Sequence, residues 1–246
     1  HIHQLVLNYP IAQKDLAGLV GELINQPTER IAVGNGAAEL IKIIAGLDRK
    51  LIVPVPSFNE YVNAAPAGKV TLFTIDPPSY QLDVDKFADE AIRQQARLAI
   101  VVTPNNPTSL LVPKEQLIYL AKKLAAHNCM LIVDESFIDF ARNGDQETLE
   151  NEIEKYPNLV IFKSMSKAYG ICGIRIGYML TANIDFLDIV RKGVHIWNIN
   201  GFAEEFLRLA PQYKQKFKQS CSKVMEDRDQ FYQELQTIPG MIVYRP

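Results

Sequence analysis

Lys167 closes the run Ser164-Met165-Ser166-Lys167 and Arg175 follows eight positions later, so one short stretch holds an amine, two hydroxyls and a guanidinium fork. Hydroxyls and a guanidinium can grip a phosphate while the amine bonds covalently to a carbonyl. Four other groups complement that chemistry. Gly36-Ala37-Ala38 opens a predicted helix whose first amides face an anion. Phe58 offers an aromatic face for a flat ring, and Asn106 an amide. Asp134 ends an apolar run, where a carboxylate stays ionised by pairing with a protonated ring nitrogen, making that ring an electron sink. Pyridoxal phosphate (PLP) needs each of these groups. Taken singly they read more plainly, as a tight turn, a helix cap, a core aromatic and a surface lysine. Their joint occurrence argues against that.

The elements that must position them alternate along the chain. Apolar spacing over Leu16, Leu19, Val20, Leu23 and Ile24 marks one helix face. Strands are then predicted at 30–33, 51–55, 70–75, 98–103, 130–134, 159–163 and 174–180, with helices at 37–45, 59–65, 83–95 and 113–127. Strand and helix in alternation predict an α/β fold of three layers, a mostly parallel sheet covered by helices on both faces. In such sheets ligands sit beyond the carboxyl ends of strands, which is where the candidate residues fall. Residues 200–236 read as helical with a break at Pro211, and 241–244 as strand-like.

The stretch from Lys163 through Gly170 to Gly173-Ile174-Arg175-Ile176-Gly177-Tyr178 resembles the Schiff-base lysine signature of class I and II aminotransferases. It is most similar to histidinol-phosphate aminotransferases and threonine-phosphate decarboxylase. Gly34-Asn35-Gly36-Ala37-Ala38-Glu39, Pro56-Ser57-Phe58, Pro104-Asn105-Asn106-Pro107-Thr108 and Val133-Asp134-Glu135-Ser136-Phe137 extend the resemblance in the family's order. It implies the PLP-dependent transferase fold. Lys167 would hold PLP and move a proton at the substrate's Cα, and Asp134 would pair with the ring nitrogen. Asn106 would donate to the ring's O3′ and Phe58 would stack on the ring. Gly36, Ala37, Ser164, Ser166 and Arg175 would hold the phosphate, with Ala38 in the same turn. Tyr9, in Asn8-Tyr9-Pro10, matches a tyrosine that reaches the neighbouring subunit's phosphate, which implies a homodimer. Two positions depart from the pattern: Phe137 stands where Tyr is common, removing one donor to O3′, and Ser109 stands where Gly commonly follows the turn. The implied reaction is transamination between an amino acid, phosphorylated or not, and a 2-oxo acid. Decarboxylation of a phosphorylated amino acid and a non-catalytic PLP-sensing module are the alternatives.

Composition is consistent with this. The 246 residues are 48% apolar with a formal net charge of −2 spread along the chain, so neither nucleic acid nor a membrane surface is an expected partner. Cys129, Cys172 and Cys221 lack metal-ligand spacing and, with no leader or long apolar run, predict a reducing, cytoplasmic setting and no metal. His1, His3 and His127 read as surface residues, whereas His195 and Trp197 fall where relatives place the substrate entrance. The predicted organisation is an amino-terminal segment at 1–14, a PLP-binding domain at 15–199, and at 200–246 a helical connection into an incomplete small domain. Both ends read as cut, placing the carboxylate-binding arginine of such enzymes outside this chain.

Overall fold

A computed structural model describes residues 2–245; His1 and Pro246 lie outside them. Seven strands form one sheet: β1 (Ile31–Asn35), β2 (Leu51–Val55), β3 (Val70–Thr74), β4 (Leu98–Val102), β5 (Met130–Asp134), β6 (Leu159–Ser164) and β7 (Ile176–Thr181), in the spatial order β1-β7-β6-β5-β4-β2-β3. Pairings among β2 to β6 are parallel, and β7 runs antiparallel to both β1 and β6. The sheet is therefore mixed. The reason is local: β7 follows β6 after only the segment 165–175, too short for the crossover that a parallel return needs.

The strand residues alternate between two cores. Val33, Val101, Val133 and Ile161 face a layer that includes Leu16, Val20, Phe87, Leu120 and Leu207. Ala32, Ile100, Ile132 and Phe162 face a layer that includes Leu40, Ile44, Tyr61, Phe186 and Val190. Every residue of β4 is buried, as expected for an interior strand covered on both faces. The helices Gln13–Ile24, Val84–Arg93, Lys114–Ala125 and Gly201–Leu209 cover the first face, and Ala37–Ala45 and Ile184–Gly193 the second.

Several predicted elements change at their edges. The helix expected at 59–65 shrinks to Glu60–Asn63. Ile184–Gly193 forms a helix that is not among those predicted, opened by Asn183, whose side chain accepts from the Phe186 amide. Pro211 does break the last helical region, leaving Gly201–Leu209 and the long Lys214–Gln236. Residues 241–244 form no strand: they pair with no ladder, and Ile242 is 80% exposed. Among the described residues no helix is long and apolar enough to cross a membrane.

Candidate cofactor site

Five adjacent strands deliver their ends to one rim. Along it lie, in sheet order, the turn after β1, Arg175 just before β7, Ser164 and Lys167 at the end of β6, Asp134 at the end of β5, and Asn106 beyond β4. The donors and cations therefore gather toward β1 and β7, and the carboxylate stands two strands away, about 10 Å by strand spacing. Ala37, Ala38, Phe58, Asn106, Asp134, Ser136, Phe137, Ser164, Lys167 and Arg175 line one cavity of about 100 Å³.

Gly36 and Ser166 do not line this cavity, although each is next in the chain to a residue that does. Gly36 has φ 70°, and a Cβ there would lie 2.4 Å from the Arg175 guanidinium, so only glycine allows the approach. A Cβ on Gly177 would meet the Ala37 amide at 2.5 Å, which makes Gly177 part of the same close packing. Arg175 itself has φ 57° and ψ 72°, a costly conformation for a side-chain-bearing residue and a frequent mark of functional sites. Ser166 is 1% exposed, and its Oγ is a buried polar atom without a partner. A buried hydroxyl in that condition fits a ligand oxygen. Tyr9 is not part of the cavity: it is 75% exposed and stacks on Trp197 with ring centroids 4.1 Å apart.

Asp134 is 3% exposed and held from two sides. Tyr61 donates its hydroxyl to Oδ2 at 2.7 Å, and the Ser136 amide donates to Oδ1 at 3.0 Å. Ser136 Oγ in turn accepts from the Ser164 amide at 2.9 Å, coupling the ends of β5 and β6. Burial holds the Asp134 carboxyl above its ordinary value, and Ser136, Tyr61 and the charge of Lys167 offset only part of that rise. The Lys167 Nζ lies 5.9 Å from the Phe137 ring centroid. Asn105 is structural: it receives Ser57 Oγ at 2.7 Å and donates to Thr108 Oγ1 at 2.8 Å, fixing the turn that leaves Asn106 facing the cavity. Ser109 keeps the left-handed backbone a glycine would take, with φ 62°, and its amide reaches the Asn105 carbonyl at 2.7 Å, so the turn survives that departure.

Tyr61 and Gly177 carry no signal of their own in the sequence beyond membership of core and motif. Beside the cavity opens a wider hollow of about 750 Å³, sharing Asn106 and Phe137 and walled by Arg142, Arg228, Asp229 and Arg245. Asp229 pairs with Arg142 and with Arg228, the latter at 2.9 Å.

The residues fit PLP on these observations: an unpartnered buried hydroxyl, a glycine cradle against an arginine, a lysine amine, and a buried carboxylate across the rim. The family model for aminotransferase class I and II matches residues 7–246. CMP-5'-(3-aminopropyl)phosphonate synthase of Streptomyces rubellomurinus is 38% identical over 97% of this chain, and L-serine phosphate decarboxylase of Sulfurospirillum multivorans is 29% identical over 98%. The chain spans 38% of the first and 63% of the second. Histidinol-phosphate aminotransferase of Clostridium acetobutylicum superposes with a TM-score of 0.90 at 27% identity, covering 100% of this chain and 74% of that one. The chain belongs to the class I and II aminotransferase family, whose members depend on pyridoxal phosphate.

Proposed function

We propose that this chain is the cofactor-binding core of an aminotransferase that moves an amino group between an amino acid bearing a phosphate or similar anion and a 2-oxo acid. The observation that carries the reading is the convergence of Lys167, Asp134, Asn106, Phe58, Ser164 and Arg175 on one cavity. Bound PLP supplies an electron-accepting ring. The chain's own residues do the rest: Lys167 holds the cofactor and takes the proton from the substrate's Cα, and Asp134 faces the ring nitrogen. Arg175, Ser164, Ser166 and the amides of Gly36 and Ala37 hold the phosphate, with Ala38 behind them. Asn106 binds O3′, and Phe58 covers the ring.

An anionic substrate is favoured by the wider hollow, where three arginines face one aspartate. Decarboxylation of such a substrate is the second reading. Phe137, facing the cavity without a hydroxyl, and the similarity to L-serine phosphate decarboxylase favour it. In either case residues 15–199 form the PLP-binding domain, preceded by the segment 1–14 and followed at 200–246 by the connection to a small domain. Two copies pair so that Tyr9 completes the neighbour's site; its exposure, with that of Val6, Leu7 and Trp197, supports this. The unpaired cysteines fit a cytoplasmic setting.

The PLP-loaded protein, offered amino acids and phosphorylated amino acids one at a time, tests the choice. Formation of pyridoxamine phosphate without carbon dioxide supports transamination. Carbon dioxide release establishes the second reading instead, and no spectral response to any of the panel overturns both.

A further inference from the structure

Asp134 has two oxygens to satisfy away from water, and the two donors that reach them differ in origin. Ser136 N–H lies two residues on in the same turn, whereas Tyr61 arrives from 73 residues away, beyond β2. Tyr61 is 0% exposed, and Phe58, three residues earlier and ahead of the helix, lines the cavity with its ring edge-on to Tyr61 at 6.5 Å. One short segment thus brings an aromatic to the cavity and a hydroxyl to the carboxylate behind it.

We propose that Tyr61 is a positioning residue for Asp134, holding the carboxylate so that its free lone pairs point at the cofactor's ring nitrogen. The inference rests on the reading that PLP binds here. Each carboxylate oxygen has a second lone pair beyond the one already used, and those lone pairs are what a protonated ring nitrogen can reach. Burial and the neighbouring carboxylate push the Tyr61 phenol well above its ordinary value, so it remains a donor throughout the working range. Without that hydroxyl, Oδ2 is a buried acceptor left with one partner fewer, and the carboxylate can rotate away or take up a proton. The competing account is that Tyr61 only fills the core among Leu40, Ile41 and Ile44, with its hydroxyl parked on a convenient acceptor.

The two accounts separate when the ring nitrogen is removed from the cofactor instead of the hydroxyl from the protein. Apo-protein is titrated with PLP and with 1-deaza-PLP, which has carbon in place of the ring nitrogen, following quenching of the single tryptophan, Trp197. Tyr61→Phe should weaken PLP about tenfold or more, the scale of one hydrogen bond to a charged group, and leave the deaza analogue nearly unchanged. In an Asp134→Asn background the same substitution should no longer discriminate between them. Equal weakening of both ligands, or undiminished discrimination in that background, overturns the proposal and leaves Tyr61 a core residue. Tyr61→Met, lacking the hydroxyl in a different shape, must show the same preference if Tyr61→Phe folds poorly. If the unaltered protein binds neither ligand, the cofactor assignment falls, and this inference falls with it.

Discussion

Asp134 and Glu135 are consecutive, both fully buried, and turn to different surroundings. Beyond Glu135, partners are complete. Thr148 donates to it at 2.5 Å and the Leu149 amide at 2.8 Å. Lys163 pairs with Asp139 at 3.1 Å, and Tyr178 donates to Glu150. Burial works against the Lys163 charge, but Asp139, Glu150 and Glu135 more than offset it and raise its pKa. On the Asp134 side the partners run out: Ser166 Oγ has none, and the contact seen for the Lys167 amine is the Phe137 ring rather than a carboxylate. Both networks are buried, yet only one has room and unmet valence for something else. Completed polar contacts mark scaffold, and incomplete ones mark the place for a ligand.

That contrast can be broken by experiment, most sharply at Lys167. Lys167→Ala should abolish borohydride-fixable attachment of PLP altogether. A surviving adduct would move the covalent role to another lysine, and one traced to Lys163 would erase the distinction between the two networks. Asp134→Asn should keep the cofactor but reduce turnover by roughly 100-fold, the scale of losing one preorganised electrostatic contact; near-normal turnover would remove its role. On the scaffold side the readout changes from activity to stability. Asp139→Ala removes the hydrogen-bonded partner of Lys163, leaving it only the nearby charges of Glu150 and Glu135, and should cost about 3 kcal/mol in urea unfolding. A loss of PLP affinity without a loss of stability would place that pair in the site.

The smallest effect concerns pH. Burial, with the Glu150 charge adding to it, pushes the Glu135 carboxyl up from 4.5 to about 7. The folded state therefore binds this proton more tightly than the unfolded chain does. The resulting stability is fully present below pH 4.5 and is lost as pH rises to about 7, amounting to at most about 3 kcal/mol. Glu135→Gln should flatten the stability profile across that window. An unchanged slope would assign it to other groups.

Local signals were legible in the sequence wherever the physics is local. Apolar runs bounded by turns marked all seven strands within a few residues, and Asp134 and Ser164 were legible as rim residues because each closes a strand, whereas Arg175, expected within the last strand, precedes it. What needed the folded chain was partnership over distance. Tyr61 reads as a core tyrosine until the sheet order carries β2 next to β4 and its hydroxyl beside Asp134. The direction of β7 hung on the brevity of the segment before it, and residues 241–244 show that apolar residues without a free ladder stay irregular. The helix Ile184–Gly193 has an amphipathic face and an Asn cap, both present in the sequence, but it follows a strand with hardly a turn between them.

The segment 165–175 is pinned at both ends, since Ser164 pairs with Gly177 and Lys163 with Tyr178 across β6 and β7. Lys167 and Arg175 are thus two points on one short tether, anchored to a single antiparallel pair. Opening of that pair releases both residues together, so amide hydrogen exchange in β6 and β7 should report one shared opening event. Attachment of the cofactor at Lys167 would then slow exchange across both strands, including amides that never touch it.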